Sequence, residues 1–275
     1  MLPVDARLEQ EKIMSAQLAP SRGVFHQPDS VLFPYYLYTH VKVSVVVPAL
    51  NEAENLPHVL PRIPEWVYEV ILVDGHSTDD TVKVAKELYP TIRIVQQQGR
   101  GKGAALRTGF KAATGNIIVM LDADGSTDPQ EIPGFVAVLL AGADFAKGSR
   151  FLHSAGTVDI SRIRRLGNWG LTMVVRLLYG GAFSDLCYGY NAFWREVLPQ
   201  LDLDCDGFEI ETLMNIRAFT AGLRIIEVPS FEADRIHGQS NLRTIPDGWR
   251  VLKTILRERF KVPAKVPAAK LQQES

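Results

Sequence analysis

From residue 41 onward the chain alternates short apolar runs with amphipathic stretches. Residues 41–47 form a β-branched run ended by Pro48, a pattern that predicts a strand buried on both faces. Further short apolar runs predict strands at 70–73, 92–95, 116–121, 143–147 and 223–228. Between them lie helical patterns. Residues 52–62 predict a helix that Pro57 and Pro61 keep short or irregular. Ser77, Thr78, Asp79 and Asp80 supply N-cap chemistry for a helix reaching about Leu88. Residues 102–113 and 129–140 continue the alternation, the first closed by Gly115. The second half is less periodic, with helical stretches at 160–179, 208–221 and 247–260.

Strands alternating with helices of this length imply an α/β fold. It is a Rossmann-like, mostly parallel central sheet with helices on both faces, in a single domain over 41–260. Residues 1–40, punctuated by Pro20, Pro28 and Pro34, read as an N-terminal arm, and 261–275 as a tail. An aromatic patch at 33–38 is expected to dock on the domain. In open parallel sheets, ligands bind outside the carboxyl ends of the strands. The Asn51-Glu52, Asp74 and Asp122 segments each follow a predicted strand, so they converge on one edge although far apart in sequence.

Composition narrows the classes. The formal net charge is -1, so no global field recruits nucleic acid. The two cysteines, Cys187 and Cys205, have no zinc or CxxC spacing and read as thiols of a reducing, cytoplasmic compartment. The first 17 residues lack the apolar core of a signal peptide, and no apolar run is long enough to span a bilayer. A basic amphipathic stretch at 247–260 places Trp249, Leu252, Ile255, Leu256 and Phe260 on one stripe. Peripheral contact with a membrane face and packing on the domain are both open readings of it.

The sharpest chemistry is Leu121-Asp122-Ala123-Asp124-Gly125. Two carboxylates one residue apart, just after a buried strand, make a compact oxygen site suited to Mg²⁺ or Mn²⁺. Asp74 ends a strand at the same edge and can accept from a base N–H or a ribose hydroxyl. The glycine-rich lead-in Gly99-Arg100-Gly101-Lys102-Gly103 opens a helix, where backbone N–H groups can meet an anion. It is not a Walker A loop, because Gln96 and Gly103 stand where that motif needs glycine and a hydroxyl residue.

Taken together these motifs resemble family 2 glycosyltransferases of the GT-A fold, from about Val43 to Arg257. Pro48-Ala49-Leu50-Asn51-Glu52 resembles their opening nucleotide-binding turn, Asp74 the base-reading aspartate, and Asp122 with Asp124 the metal pair. The second half is similar to the dolichol- and polyprenyl-phosphate mannose and glucose synthase branch. It has Gly148-Ser149-Arg150, the basic segment Arg164-Arg165-Leu166-Gly167-Asn168, and the D-x-x-x-G turn from Asp185 to Gly189. It also has the acidic helix start at Phe208-Glu209-Ile210-Glu211 and a closing segment around Arg235 and Gly238-Gln239-Ser240-Asn241-Leu242. Three positions depart from the pattern. Gly75 replaces a second aspartate, Asn241 replaces a lysine, and Ser126 stands where mannosyl enzymes often carry a glutamine-type metal ligand, with Asp128 as the nearest substitute.

The resemblance implies a metal-dependent inverting glycosyltransferase that moves a hexose from a UDP-glucose or GDP-mannose type donor to a polyprenyl phosphate. Its donor side comprises Pro48, Ala49, Asn51, Glu52, Asp74, Gly103, Asp122, Ala123, Asp124, Arg235, Ser240, Asn241 and Arg243. The metal, Mg²⁺ or Mn²⁺, falls to Asp122 and Asp124. The acceptor phosphate falls to Arg150, Arg164, Arg165 and Asn168, since an arginine fork grips phosphate bidentately. Asp124, Arg150 and Glu211 are the catalytic expectations, with Glu211 as base when the acceptor is a hydroxyl. A transferase using a soluble, phosphate-bearing acceptor is the alternative, and a membrane-protein partner fits either. A sugar nucleotidyltransferase ranks lower, because its glycine-rich basic loop should follow the first strand, where Pro48 to Glu52 stand. A non-catalytic nucleotide-sugar binder ranks lower too, having no need of the acidic pair.

Overall fold

The structure, a computed structural model, describes residues 41–158, 160–181, 183–240 and 242–261. The aromatic patch at 33–38 and Asn241 lie outside the described residues. Strand β1 (Val43–Ala49) pairs in parallel with β2 (Glu69–Asp74) on one side and β4 (Ile117–Met120) on the other. Strand β3 (Arg93–Gln96) extends the sheet beyond β2. Beyond β4 come β7 (Asn191–Trp194), β5 (Phe145–Ser149) and β8 (Ile225–Pro229), giving the order β3-β2-β1-β4-β7-β5-β8. Every pairing is parallel except the two made by β7, which runs against both β4 and β5. A two-stranded ribbon, β6 (Gly156–Thr157) with β9 (Phe231–Glu232), stands apart.

Helices cover both faces because the central strands are apolar on both. Val46, Ile71, Val73, Ile118 and Met120 pack against α3 (Lys102–Ala112) and α7 (Ile210–Thr220) through Leu106, Phe110, Leu213 and Met214. The alternate residues Val45, Val47, Leu72 and Val119 are equally buried and point to the opposite face. There lie α1 (Leu56–Val59), α2 (Thr81–Leu88) and α4 (Ile132–Leu140). Each fully buried Val, Leu or Ile side chain contributes roughly 1.5–3 kcal/mol, so this double-sided burial dominates the stability of the sheet.

The second half adds a helical layer. Helix α5 (Arg162–Tyr179) and α8 (Thr244–Lys261) pack on each other and on α7 around Val175, Phe183, Leu186, Ile216, Val251 and Ile255. Ser161 caps α5 by accepting from the Arg164 amide, and Gly180, at φ 77°, ends it in the left-handed conformation. A short α6 (Leu198–Leu201) leads toward α7.

The predicted strands and helices all form, with shifted ends. The proline-bearing 52–62 segment becomes α1 plus a 3₁₀ turn, and the last helix begins at Thr244. Strand β7 and the β6–β9 ribbon were not predicted. The Trp249–Phe260 stripe also divides: Ile255 is fully buried in the core, whereas Trp249, Leu256 and Phe260 face outward.

Candidate functional site

The strand order reverses direction at β1, since β2 and β3 lie to one side and β4 to the other. Crevices form at such switch points, outside the carboxyl ends of the strands. Asn51 and Glu52 follow β1, Asp74 ends β2, and Asp122 to Asp124 follow β4, so the predicted edge is assembled as expected. Asn51 adopts φ 56°, which turns the chain so that its amide carbonyl oxygen accepts from the Thr78 amide at 2.8 Å. Asp74 is buried and accepts from the Ser77 amide and from Gln96 Nε2 at 2.9 Å. Gln96 is therefore a neighbour of Asp74 that sequence did not single out. Gly75, where an aspartate is usual, would bring a Cβ to 3.0 Å from Gln97 Oε1; the glutamine fills the space.

Two ion clusters stand at this edge. In the first, Lys102 Nζ lies 2.8 Å from Asp122 Oδ1 and 2.8 Å from Glu211 Oε1. Burial alone would lower the lysine pKa, but the Asp122 and Glu211 carboxylates outweigh it and hold it above the usual lysine range. Burial pushes the Glu211 carboxyl up, and Lys102 offsets only part of that. Gly189 makes room for the cluster: a Cβ there would stand 2.6 Å from Glu211 Oε1 and 2.8 Å from Lys102 Nζ. That is the physical demand behind the glycine of the D-x-x-x-G turn.

In the second cluster Arg235 bridges Asp124 and Glu52, at 3.0 Å to each. The other oxygen of Asp124 accepts from the Ser126 amide and hydroxyl. Glu52 has its carboxyl raised by burial, against the lowering effects of Asn55 and Arg235. The closing segment is pinned over the first loop by further bonds. The His237 amide donates to Asn55 Oδ1 at 2.8 Å, and the Ile236 amide to the Asp124 carbonyl. Ser240 and Arg243 follow on the exposed side of this segment.

Asp122 and Asp124 fit a hard divalent ion. Both are oxygen donors that keep an exposed edge, with 27% and 18% of their side chains accessible, and each already stabilises a positive charge. Among the described residues no third His, Cys, Asp or Glu joins them in a metal-holding group. Mg²⁺ and Mn²⁺ sites of this kind complete their shell with water and substrate phosphates. Asp128 is not at hand, because it caps the turn before α4 and pairs with Arg62. Ser126 holds Asp124 instead.

Other expected ligands are committed elsewhere. Arg150 was expected to present its fork to a phosphate. It is buried with Nε and Nη2 on the two oxygens of Asp185, at 2.7 and 2.9 Å, and Nη1 on Glu232 at 3.0 Å. These bonds outweigh burial and raise the arginine, while Asp185, raised by burial, is held below the usual range by Arg150. Asn168 is likewise buried, donating to Asp185 Oδ1 and accepting from the Cys187 amide. Arg165 lies beside the Phe151 ring at 5.9 Å, on the first turns of α5 with Arg164. The Gly103 amide was expected to face an anion. With Ala104 it donates to the Asp206 carbonyl, and a Cβ on Gly103 would strike the Cys205 carbonyl at 2.6 Å. Gly101 and Gly103 of this lead-in serve close packing against 205–207. Pro48, Ala49 and Ala123 are backbone positions along the floor, and the Ala49 carbonyl accepts from Gly75 at 2.8 Å.

Lys102, Glu232 and Gln96 are the residues sequence reasoning left out. Their partners lie 20 or more positions away, and only the Gly-Lys-Gly context of Lys102 gave any signal. No described helix is long and apolar enough to cross a membrane.

Comparison with known proteins agrees with this geometry. A dolichol-phosphate mannosyltransferase of Pyrococcus furiosus is 33% identical over 212 residues, covering 74% of this chain and 60% of that protein's own length. Glycosyltransferase AglJ of Haloferax volcanii is 31% identical over 218 residues, covering 78% and 71%. Among solved structures, glucosyl-3-phosphoglycerate synthase of Mycobacterium tuberculosis with Mn²⁺, UDP and glucosyl-3-phosphoglycerate superposes with a TM-score of 0.67. The two are 26% identical, with 89% of each chain covered. The Glycosyl transferase family 2 profile matches residues 44–201, more than half of the chain, which therefore belongs to glycosyltransferase family 2.

Proposed function

We propose that residues 41–260 form a metal-dependent, inverting glycosyltransferase domain, flanked by the arm and tail, that moves a hexose from a nucleotide sugar to a polyprenyl phosphate. The observation that carries this reading is the Asp122–Asp124 pair at the switch point, with Arg235 folded onto it from the closing segment. Asp74 accepts from the base or ribose, and Asn51 and Glu52 shape the floor. A divalent ion on Asp122 and Asp124 would neutralise the departing diphosphate. Arg235, freed from Glu52 and Asp124, supplies a planar cation to the same oxygens, and Ser240, Asn241 and Arg243 are assigned to the donor as well.

A phosphate acceptor is already an anion at neutral pH, so its attack on the anomeric carbon needs positioning and charge stabilisation more than a base. Arg164 and Arg165, on the first turns of α5, are the arginines assigned to meet it. Arg150 acts one step back, by holding Asp185 and the turn that carries Gly189. Glu211 takes the proton only when the acceptor is a hydroxyl. A soluble phosphate-bearing acceptor is the second reading, supported by the likeness to a synthase described with UDP, Mn²⁺ and a phosphoglycerate product.

The test is nucleoside diphosphate release with Mn²⁺ or Mg²⁺ across UDP-, GDP- and dTDP-sugars, with and without a short polyprenyl phosphate. Release that requires both the lipid phosphate and one donor supports the first reading. Release stimulated by 3-phosphoglycerate and indifferent to the lipid replaces it with the second.

A further inference from the structure

Helix α5 carries apolar residues on its outer side as well as on the side packed against the core. Asn168 and Thr172 point inward with Val175, while Ile163, Leu166, Trp169 and Leu177 are exposed. Helix α8 repeats the arrangement. Asp247, Thr254 and Glu258 are buried, while Ile245, Trp249, Leu256 and Phe260 form one outward stripe. These eight outward side chains are between 42% and 88% exposed. Both helices turn their inner sides to the same buried cluster and pack on each other, and each carries its exposed stripe away from that cluster. Large exposed apolar side chains concentrated on two neighbouring helices mark an interaction site.

Charge identifies the occupant. Helix α5 carries Arg162, Arg164, Arg165 and Arg176 and no acid. Helix α8 carries five basic residues, and its two acids are buried, Asp247 beside Arg250 and Glu258 beneath Arg217. The partly exposed Asp204 is taken up by Arg217, Arg257 and Lys261, and the exposed Asp202 also lies near Arg217. In a chain of net charge -1, these two helices together carry nine basic residues against two buried acids. A second copy docking through it by two-fold symmetry would set basic rim against basic rim. An anionic lipid surface meets both demands, taking the apolar stripe into the acyl boundary and the rim onto the headgroups.

We propose that the outer face of α5 and α8 docks the protein on an anionic lipid bilayer. The face adjoins the acceptor side of the crevice, because Asn168 on α5 bonds to Asp185 and Arg165 lies beside Phe151. Docking would therefore present that side to the lipid. The inference rests on exposure and charge and is independent of which acceptor is used.

The test is sedimentation of the full chain, without donor or acceptor, with vesicles of phosphatidylcholine alone or mixed with phosphatidylglycerol, while following tryptophan emission. Binding confined to the anionic vesicles, weakened by salt and accompanied by a blue shift, is the expected result. Trp249→Ser with Phe260→Ser, and separately Arg162→Glu with Lys253→Glu, should each weaken partition by about tenfold or more. Diphosphate release in vesicle-free solution should stay unchanged in both. Absent binding, or equal binding to neutral vesicles, overturns the proposal. So does a dimer in solution that Trp249→Ser with Phe260→Ser dissociates, which would make a second copy the occupant. Vesicle binding that persists in a chain lacking any transferase activity would sink the function proposed above and leave this surface standing.

Discussion

The two charged assemblies near the crevice differ in how they meet water. Around Lys102 and Arg235 the carboxylates of Asp122 and Asp124 keep accessible edges, so their cationic partners can be exchanged for others. Around Arg150, Asp185 is fully buried and Arg150 nearly so, with every guanidinium nitrogen given to a carboxylate. The first assembly is open to solvent on one edge, as the proposed exchange of its cations during turnover requires. The second fixes the turn at 185–189 and the first half of α5. An arginine in a conserved-looking motif can thus be a strut, and its solvent access, which sequence does not display, separates the two roles.

Four variants test that contrast. The largest effect is expected from Arg150→Met, which leaves Asp185 buried without its partner and should cost about 3–5 kcal/mol in denaturant unfolding. Asp185 has its folded pKa depressed, so its contribution is present above the ordinary aspartate range and is lost as pH falls through the depressed value. In the variant the acid transition should move to higher pH. A cost below about 1 kcal/mol would show that water reaches the cluster after all.

Next, Asp124→Ala should lower kcat/KM for diphosphate release by about 10²–10³-fold while leaving unfolding nearly unchanged. A large stability loss would mean that the exchange assembly is also a strut. Lys102→Met leaves Asp122 and Glu211 facing each other without a cation, for a stability loss of about 1–3 kcal/mol. Added Mn²⁺ should recover part of it, as read by melting temperature. Glu211 is already raised by burial, and removing Lys102 raises it further. With a hydroxyl acceptor the acid limb of kcat should then shift to higher pH; with a phosphate acceptor that shift should be absent. The smallest effect is expected from Arg235→Gln, with donor KM rising about tenfold and kcat falling less.

The donor side was the more legible half for a physical reason. In β1, β2 and β4 the apolar run, its end and the acidic residue after it are contiguous, so strand and ligand are read together. Beyond residue 145 the determinants are paired across distance. Arg150 finds Asp185 and Glu232, 35 and 82 positions away, and no local pattern announces either. Strand β7 was missed because Asn191-Ala192-Phe193-Trp194 is short and shows no alternation, its identity being set by Phe145 and Phe110 packed on Phe193. Gly101 and Gly103 misled in another way. A position without a side chain accommodates a phosphate or a carbonyl equally well, and the Asp206 carbonyl is what occupies it.

Strand β7 has a consequence for the order of assembly. It follows β5 in the chain yet sits between β4 and β5, so the sheet cannot close until the segment around residue 194 has been made and inserted. Strands β1 to β4 are all made before β7 and can pair without it as the chain emerges, carrying Asp74, Asp122 and Asp124 with them. The pairings of β1 with β4 and of β4 with β7 each span more than seventy residues, and such distant closures are slow. During synthesis, then, the acidic edge is laid down first and waits. The wedge of β7 joins the two halves of the sheet and, through the turn just before it, brings Gly189 to the ion cluster it must leave room for.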